Sequence, residues 1–591
     1  MVSDGHAAHM RDLMVRRGPD GSGLVRRGSV ILGHRRLAVI DLTEAGAQPA
    51  TSADGRFSLV YNGELYNDAA LRKDLERLGV RFRTACDTET LLAALMQWGT
   101  EALHRVRGMF AFGFHDGRTG ELLLARDGLG IKPLYWWRSE GGGEFVFASE
   151  IPPILAHPLC TAAPDFGAVS AYLSTAKVTT GERTLYEGVR TLEPGHLLRL
   201  DLRSERLEPT VRRWWVPKAG ARVEGAGVRD AVEESVGLHM RSDVPVCALL
   251  SGGLDSSVIA TVAAEKHRAL RTFCAYGAER SHAGDDAEAA REVAAAIGTD
   301  HAEAVVTRES FARDWRWIIE QTGLPLATPN EVAILAVART LREAGCTVTL
   351  SGEGADELFG GYDRTLDPAA EFERVVTSEG VARDSRAYAA MAARQSLTLG
   401  HWVAPSEKAE ALRPEYWGRA EQDHLMWGSL TERFARAASG GVDDPLRVHF
   451  RVLREHNLSE LLRRLDSSTM LASVEGRTPL ADTQLAEMAE RVAMADLFEP
   501  GDGDPTPRTK RVLREAFRGR VPGVAVRRAK ASFPLPFWEY LAEAAAEVRG
   551  SGFVREVFEP EFVEAALRDP AAAVHRAWPL INVGLWGKRF S

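Results

Sequence analysis

The sequence predicts an α/β protein overall, with a β-rich first third and a parallel-sheet domain behind it. Three observations lead there. Short apolar runs in the first third are punctuated by Gly, Asn and Asp turns. Beyond about residue 227, Ala/Glu/Arg-rich helical segments alternate with short apolar runs, the pattern of a parallel sheet. Two Gly-rich loops each follow such a run directly. At 591 residues the chain exceeds what one core usually supports, so two or three domains are expected.

In chain order, LAVIDL (37–42), FSLVYNG (57–63), MFAFGFHD (109–116) and ELLLARD (121–127) read as strands of a layered domain. GHLLRL (195–200) reads as its last strand. The hydrophilic stretch that follows, with LRSERLEP and VPKAGARVEGAG, marks a boundary. The expected division is 1–204, a linker over 205–227, and 228–591. AEAAREVAAAIG (287–298) opens the helix–strand alternation, while the polar stretch 367–442 carries scattered Trp and Tyr and reads as helical elaboration. No internal repeat is visible.

Residues 246–260, VCALLSGGLDSSVIA, are a buried strand, a turn and the start of a helix whose N-terminal amides favour an anion. Gly252 and Gly253 let the backbone N–H groups curl around phosphate oxygens, and the hydroxyls of Ser251, Ser256 and Ser257 add donors. Asp255 repels phosphate and reads instead as a ligand for phosphate-bound Mg²⁺. No GK[ST] follows the glycines, so this is not the common phosphate loop. It resembles the pyrophosphate loop of ATP pyrophosphatases, which cleave ATP between the α and β phosphates. A second loop, SGEGADELFGGY (351–362), follows the strand-like CTVTL and brings Glu353, Asp356 and Glu357 to the carboxyl end of a strand, where open α/β sheets bind ligands.

With RLDSSTMLASVEGRTPLAD (464–482) and RRAKASFP (527–534), these loops resemble the synthetase domain of the glutamine-hydrolysing asparagine synthetase family. In the first third, RRGPDGSG (16–23), LGHRRLAVIDL (32–42), AGAQP (45–49), YNGELYN (61–67), DTET (87–90), GMFAFGFHD (108–116) and ARDGLGIKPLYW (125–136) resemble a class II glutamine amidotransferase domain. The resemblance covers nearly the whole chain in the expected order. It implies a four-layer α+β, Ntn-hydrolase-like sandwich followed by an ATP-pyrophosphatase domain with a helical C-terminal elaboration. It also implies ATP and Mg²⁺, and an adenylated carboxylate that ammonia then amidates.

Residue by residue, the resemblance gives Arg36 the glutamine carboxylate, Asp87 its amino group, and Asn62 and Gly63 the oxyanion, with Glu64 in the same pocket. Ser251, Gly252, Gly253, Ser256 and Ser257 would cradle the pyrophosphate. Asp255 and Asp356 would hold Mg²⁺, and Lys530 would contact the leaving pyrophosphate. Leu250, Tyr276, Ser351 and Gly352 would line the adenosine site, and Glu353 would orient or deprotonate ammonia.

Two departures matter. The family's mature chain begins Cys-Gly-Ile, whose thiolate attacks glutamine, whereas this chain begins Met1-Val2-Ser3-Asp4 and has no cysteine before Cys86. The expectation is a start set too far downstream, the alternative a lineage that has discarded glutamine hydrolysis; as written, the glutaminase half is expected to be inactive. Secondly, Pro329-Asn330-Glu331, Ser467 and PLAD (479–482) differ from the family's usual substrate wall. Aspartate is the expected substrate. The alternatives are a relative amidating another carboxylate or closing a lactam, and a catalytically silent homologue.

Net charge is −9 with 26% charged residues, so no basic surface points to nucleic acid. Five scattered cysteines lack CxxC spacing, and Cys247, Cys274 and Cys346 sit in apolar runs that read as core. A reducing, cytoplasmic setting with no membrane span is expected, and a homodimer by analogy alone.

Overall fold

In the computed structural model, which describes all residues except 1, 219, 224–225, 279–284, 399, 440–441, 443, 529–534 and 591, the first third builds four layers. The central layer is an antiparallel sheet in the order Thr210–Arg213, His196–Asp201, Glu121–Arg126, Gly108–Asp116, Phe57–Leu65, Ala50–Thr51. Side chains alternate across it with period two. Leu123, Phe110 and Phe112 point to the helices Asp68–Arg77 and Asp87–Trp98. Leu122, Leu124 and Ala111 point the other way, onto Trp136 and Leu192 of the second-sheet layer. That five-stranded sheet includes Tyr135–Arg138 and Val189–Thr191. Its far face, through Tyr135, Trp137 and Val189, packs on the helix Phe166–Thr175. The helix–sheet–sheet–helix order is the four-layer sandwich expected. Strand Thr210–Arg213, inside the stretch read as linker, pairs with His196–Asp201 at the sheet edge.

The second sheet system is parallel throughout, in the order Asp300–Val306, Arg271–Gly277, Val246–Leu249, Val348–Leu350, Glu475–Arg477. The strands after Val246–Leu249 in sequence are first added on one side and then, from Val348–Leu350, on the other. Strand order therefore reverses between these two neighbours, and a crevice opens at their carboxyl ends. Both Gly-rich loops leave from that point. Helices Asp363–Ser378, Arg386–Thr398 and His424–Ser439 pack around Tyr388, Leu430 and Phe434, so most of the polar 367–442 stretch is helical.

One expectation about cysteines is corrected. Cys247 and Cys346 do not remain separate core thiols: they are joined as a disulfide across the neighbouring strand segments, with Cα atoms 6.4 Å apart. Sequence spacing hid the pair because 99 residues separate them. Among the described residues, no helix is long and apolar enough to cross a membrane.

Candidate active site

The SGGLDSS turn starts where Val246–Leu249 ends. Leu250 is buried, and its N–H donates to the Phe273 carbonyl at 2.8 Å, which continues the sheet one residue further. Ser251 N–H donates to Ser256 Oγ at 3.1 Å, and the two hydroxyls lie 3.1 Å apart. Gly252 has φ +70°, and a Cβ there would lie 2.7 Å from the backbone of Ala289 and Ala290, so only glycine fits. Gly253 is the N-cap of helix Leu254–Lys266, which carries Asp255 in its first turn and both Ser256 and Ser257 buried. Among the described residues, the buried Ser257 hydroxyl has no hydrogen-bond partner. Tyr276 lies near the carboxyl end of the neighbouring strand Arg271–Gly277.

The second loop packs against the first. A Cβ on Gly352 would come within 3.0 Å of Asp255 Cβ, so the two turns touch through glycine. Ser351 N–H donates to the Arg477 carbonyl at 2.8 Å, and Ser351 Oγ accepts from Glu353 N–H at 3.4 Å. Across the gap stands Lys510, a residue the sequence reading did not select. Its Nζ lies 2.5 Å from Asp255 Oδ2 and 2.7 Å from Asp356 Oδ1, tying the two loops together. Burial opposes the charge on Lys510, but the two aspartates outweigh it and raise the ammonium's pKa above its ordinary value. Lys510 has φ +49°, an uncommon backbone state for a non-glycine residue, at the N-cap of helix Arg511–Ala516. A Cβ on Gly361 would overlap both Asp356 and Lys510.

Lys530 lies outside the described residues. Arg528, which is described, donates to the Ser251 carbonyl at 3.3 Å.

Glu353 reaches helix Ser459–Met470. Arg464 Nη2 meets Glu353 Oε1 at 2.5 Å, while Arg464 Nη1 donates to Thr328 Oγ1 at 3.1 Å. The altered Pro329-Asn330-Glu331 segment acts from behind: buried Glu331 accepts the N–H groups of Ala327 at 2.7 Å and Thr328 at 3.3 Å. It therefore shapes the turn that presents Thr328 to Arg464.

A second pocket, of about 140 Å³, is lined by Arg36, Asn62, Gly63, Glu64, Cys86 and Asp87 among others. Arg36 is aimed by carbonyls, donating to Thr43 at 2.7 Å, to Ile40 at 3.2 Å and to Asp41. Gly46 leaves the room its guanidinium fills. Asp87 opens its helix and accepts from Leu65 N–H at 2.8 Å and Tyr61 O–H at 3.1 Å. Burial nevertheless raises its pKa above the ordinary carboxylate value. Asn62 Nδ2 reaches Ser149 Oγ at 3.5 Å. Gly63 sits where a Cβ would strike the Met109 carbonyl. The Cys86 thiol is pushed up to about 11, first by burial and then by Asp87, so it stays protonated near neutral pH.

Glu64 belongs to the junction of the two halves as much as to this pocket. It meets Arg477 at 3.3 Å and Arg241 at 3.4 Å, and Arg477 also holds Glu475 at 2.8 Å. Asp466 is likewise gripped from the first half, by Arg17 and by Lys132 at 3.0 Å. Arg107 reaches Asp482 at 2.9 Å. The segment 464–482 thus carries both the Glu353 partner and the buried ion pairs that seat one domain on the other.

Comparison with known proteins agrees with this architecture. Residues 227–588 match the family model "Asparagine synthase", and residues 2–215 match "Glutamine amidotransferase domain". The chain is 30% identical over 602 residues to asparagine synthetase [glutamine-hydrolyzing] 1 of Bacillus subtilis strain 168, covering 98% of this chain and 92% of that protein. It is 34% identical over 380 residues to asparagine synthetase B of Escherichia coli K12, covering 60% of this chain and 61% of the other. It is also 27% identical over 581 residues to amidase chyE of Penicillium rubens, covering 90% and 85%. Two loops at a strand-order reversal, a buried pocket in a four-layer sandwich and a family match spanning the synthetase half lead to one conclusion: the chain belongs to the asparagine synthase family, with a glutamine amidotransferase domain at its N-terminal end.

Proposed function

We propose that this chain is an asparagine synthetase of the glutamine-hydrolysing type. The observation that supports this most strongly is the pairing of the SGGLDSS and SGEGADE loops on adjacent strands, with Asp255 and Asp356 converging on one ammonium.

A side-chain carboxylate oxygen of aspartate attacks the α-phosphorus of ATP, the α–β bridging bond breaks, and pyrophosphate leaves. The turn amides at Gly252 and Gly253 and the hydroxyls of Ser251, Ser256 and Ser257 receive the pyrophosphate charge. Leu250, Tyr276, Ser351 and Gly352 bound the adenosine. Ammonia then attacks the acyl carbon, AMP departs with the C–O bonding pair, and Glu353 takes the proton lost by the incoming nitrogen. Arg464 fixes the position of Glu353 for that task.

Mg²⁺ fits the donor set. Two carboxylates already share a cation at Lys510 Nζ, and hard oxygen donors of this kind suit Mg²⁺ bound to phosphates. Asp255 and Asp356 would hold the ion, whose charge offsets that of the phosphates. By the resemblance, Lys530 would meet the leaving pyrophosphate, whose added charge an ammonium offsets.

In the amidotransferase half, Arg36 and Asp87 anchor the α-carboxylate and α-amino group of glutamine, and Asn62 with Gly63 N–H receives the oxyanion. Cys86, with its raised pKa, is not the nucleophile of that half.

Aspartate labelled with ¹⁸O in its side-chain carboxylate tests the adenylation step. One labelled oxygen should appear in AMP. Label that stays wholly in the amino-acid product contradicts an acyl-adenylate.

A further inference from the structure

A cavity of about 210 Å³ lies at the domain junction, away from both loops and from the Arg36 pocket. The first domain contributes Glu193, His196, Arg213 and Trp215. The second contributes Arg433 and Arg436 from helix His424–Ser439, and Arg454 and Glu455 from the segment Arg454–Leu458.

Its charges do not balance. Four arginines, Arg213, Arg433, Arg436 and Arg454, face two carboxylates, Glu193 and Glu455. Arg213 meets Glu455 at 2.8 Å, Arg436 meets it at 3.7 Å and Arg433 at 4.0 Å, so one carboxylate is shared by three guanidinium groups. Arg433 also reaches Glu193 at 3.1 Å. Glu490, behind the wall, is divided between Arg454 at 3.0 Å and Arg451 at 2.6 Å and leaves the excess in place. Although burial opposes its ionisation, Arg213, Arg433 and Arg436 hold Glu455 below the ordinary carboxylate range. Opposite the arginines, Leu129, Pro194, Trp215 and Pro217 give an apolar wall.

The floor is a π-helical turn, Arg454–Leu458, inserted between the α-helices Leu446–Leu453 and Ser459–Met470. Such turns are rare and are concentrated at functional positions. The helix that continues from it carries Arg464, which pairs with Glu353, about two and a half turns beyond Glu455.

We propose that this junction pocket binds a compact dianion with a small apolar portion, phosphate- or dicarboxylate-bearing. The dianion takes the surplus guanidinium donors as bidentate partners, and Trp215 covers its apolar side. It sits between the two domains and contacts both.

The test is calorimetric titration of the full chain with inorganic phosphate and, separately, with malonate, each in the presence of saturating Mg-ATP so that the nucleotide loops are not the binding site. Arg436→Gln and Arg436→Glu are compared with the unsubstituted chain; Arg436 is about half exposed, so both variants should fold, as an unchanged unliganded melting temperature would show. Loss of one charge-assisted contact predicts about tenfold weaker binding in Arg436→Gln, and a larger loss in Arg436→Glu. The stronger of phosphate and malonate identifies the anion class. Binding of neither anion at millimolar concentration overturns the proposal. Binding that both substitutions leave unchanged overturns it too.

Discussion

Among single residues, Lys510 ties the two loops together. Its buried ammonium joins the partly exposed Asp255 and Asp356, and removing it leaves the two carboxylates facing each other. Breaking a buried pair from one side costs about 3–5 kcal/mol. Lys510→Met should therefore melt at lower temperature, and added Mg²⁺ should recover more of that loss than it gains in the unsubstituted chain. Thermal unfolding with and without Mg²⁺ reads this, and an equal Mg²⁺ effect in both proteins would remove Asp255 and Asp356 as an ion site. The sequence made Asp255 legible because donors, glycines and carboxylate are contiguous in one turn. Lys510 was not legible: it lies 255 residues from Asp255, in RTKRVLRE, and nothing local marks it. Arg464 was hidden in the same way, since its partner Glu353 is 111 residues away.

At the scale of elements, two strands set the geometry. Val246–Leu249 and Val348–Leu350 lie side by side and launch the two loops into one crevice, which a reading of strand-then-loop motifs anticipates. Their cross-link was not anticipated, because cysteine spacing along the chain says nothing about which strands become neighbours. The structure leaves Cys86, Cys160 and Cys274 as the free thiols. Thiol titration of the unreduced, denatured chain should find these three react and Cys247 and Cys346 do not; reaction of all five contradicts the pairing. In the first third, the apolar run Leu122–Leu124 was readable as a strand, but burial of both faces had to await the second sheet. Strand Thr210–Arg213 is hydrophilic and mostly exposed, so its sequence gave no strand signal.

At the scale of the whole molecule, the halves are joined by buried charge. Glu64 with Arg477, Asp466 with Lys132, and Arg107 with Asp482 are all pairs between the two domains. Beside them His239 is fully buried against Tyr66, with burial lowering its pKa to about 3. His34, in the other pocket, is likewise lowered to about 4 by burial. The unfolded chain binds these protons below pH 6.5 and the folded chain does not, so their contribution is whole above pH 6.5 and falls as pH drops towards 4 and 3. The slope is about 1.4 kcal/mol per pH unit for each group once the unfolded imidazole is protonated. Melting curves from pH 6.5 to 5 should show this loss, and His239→Gln should flatten it; an unchanged slope would mean that His239 does not stay neutral in the fold. The central claim is that the paired loops adenylate aspartate for amidation. The most direct measurement supplies the full chain with Mg-ATP, aspartate and ammonium and follows pyrophosphate and asparagine together. Equal amounts of both are expected, lost in Asp356→Asn. Pyrophosphate without asparagine, or neither product, would contradict the claim.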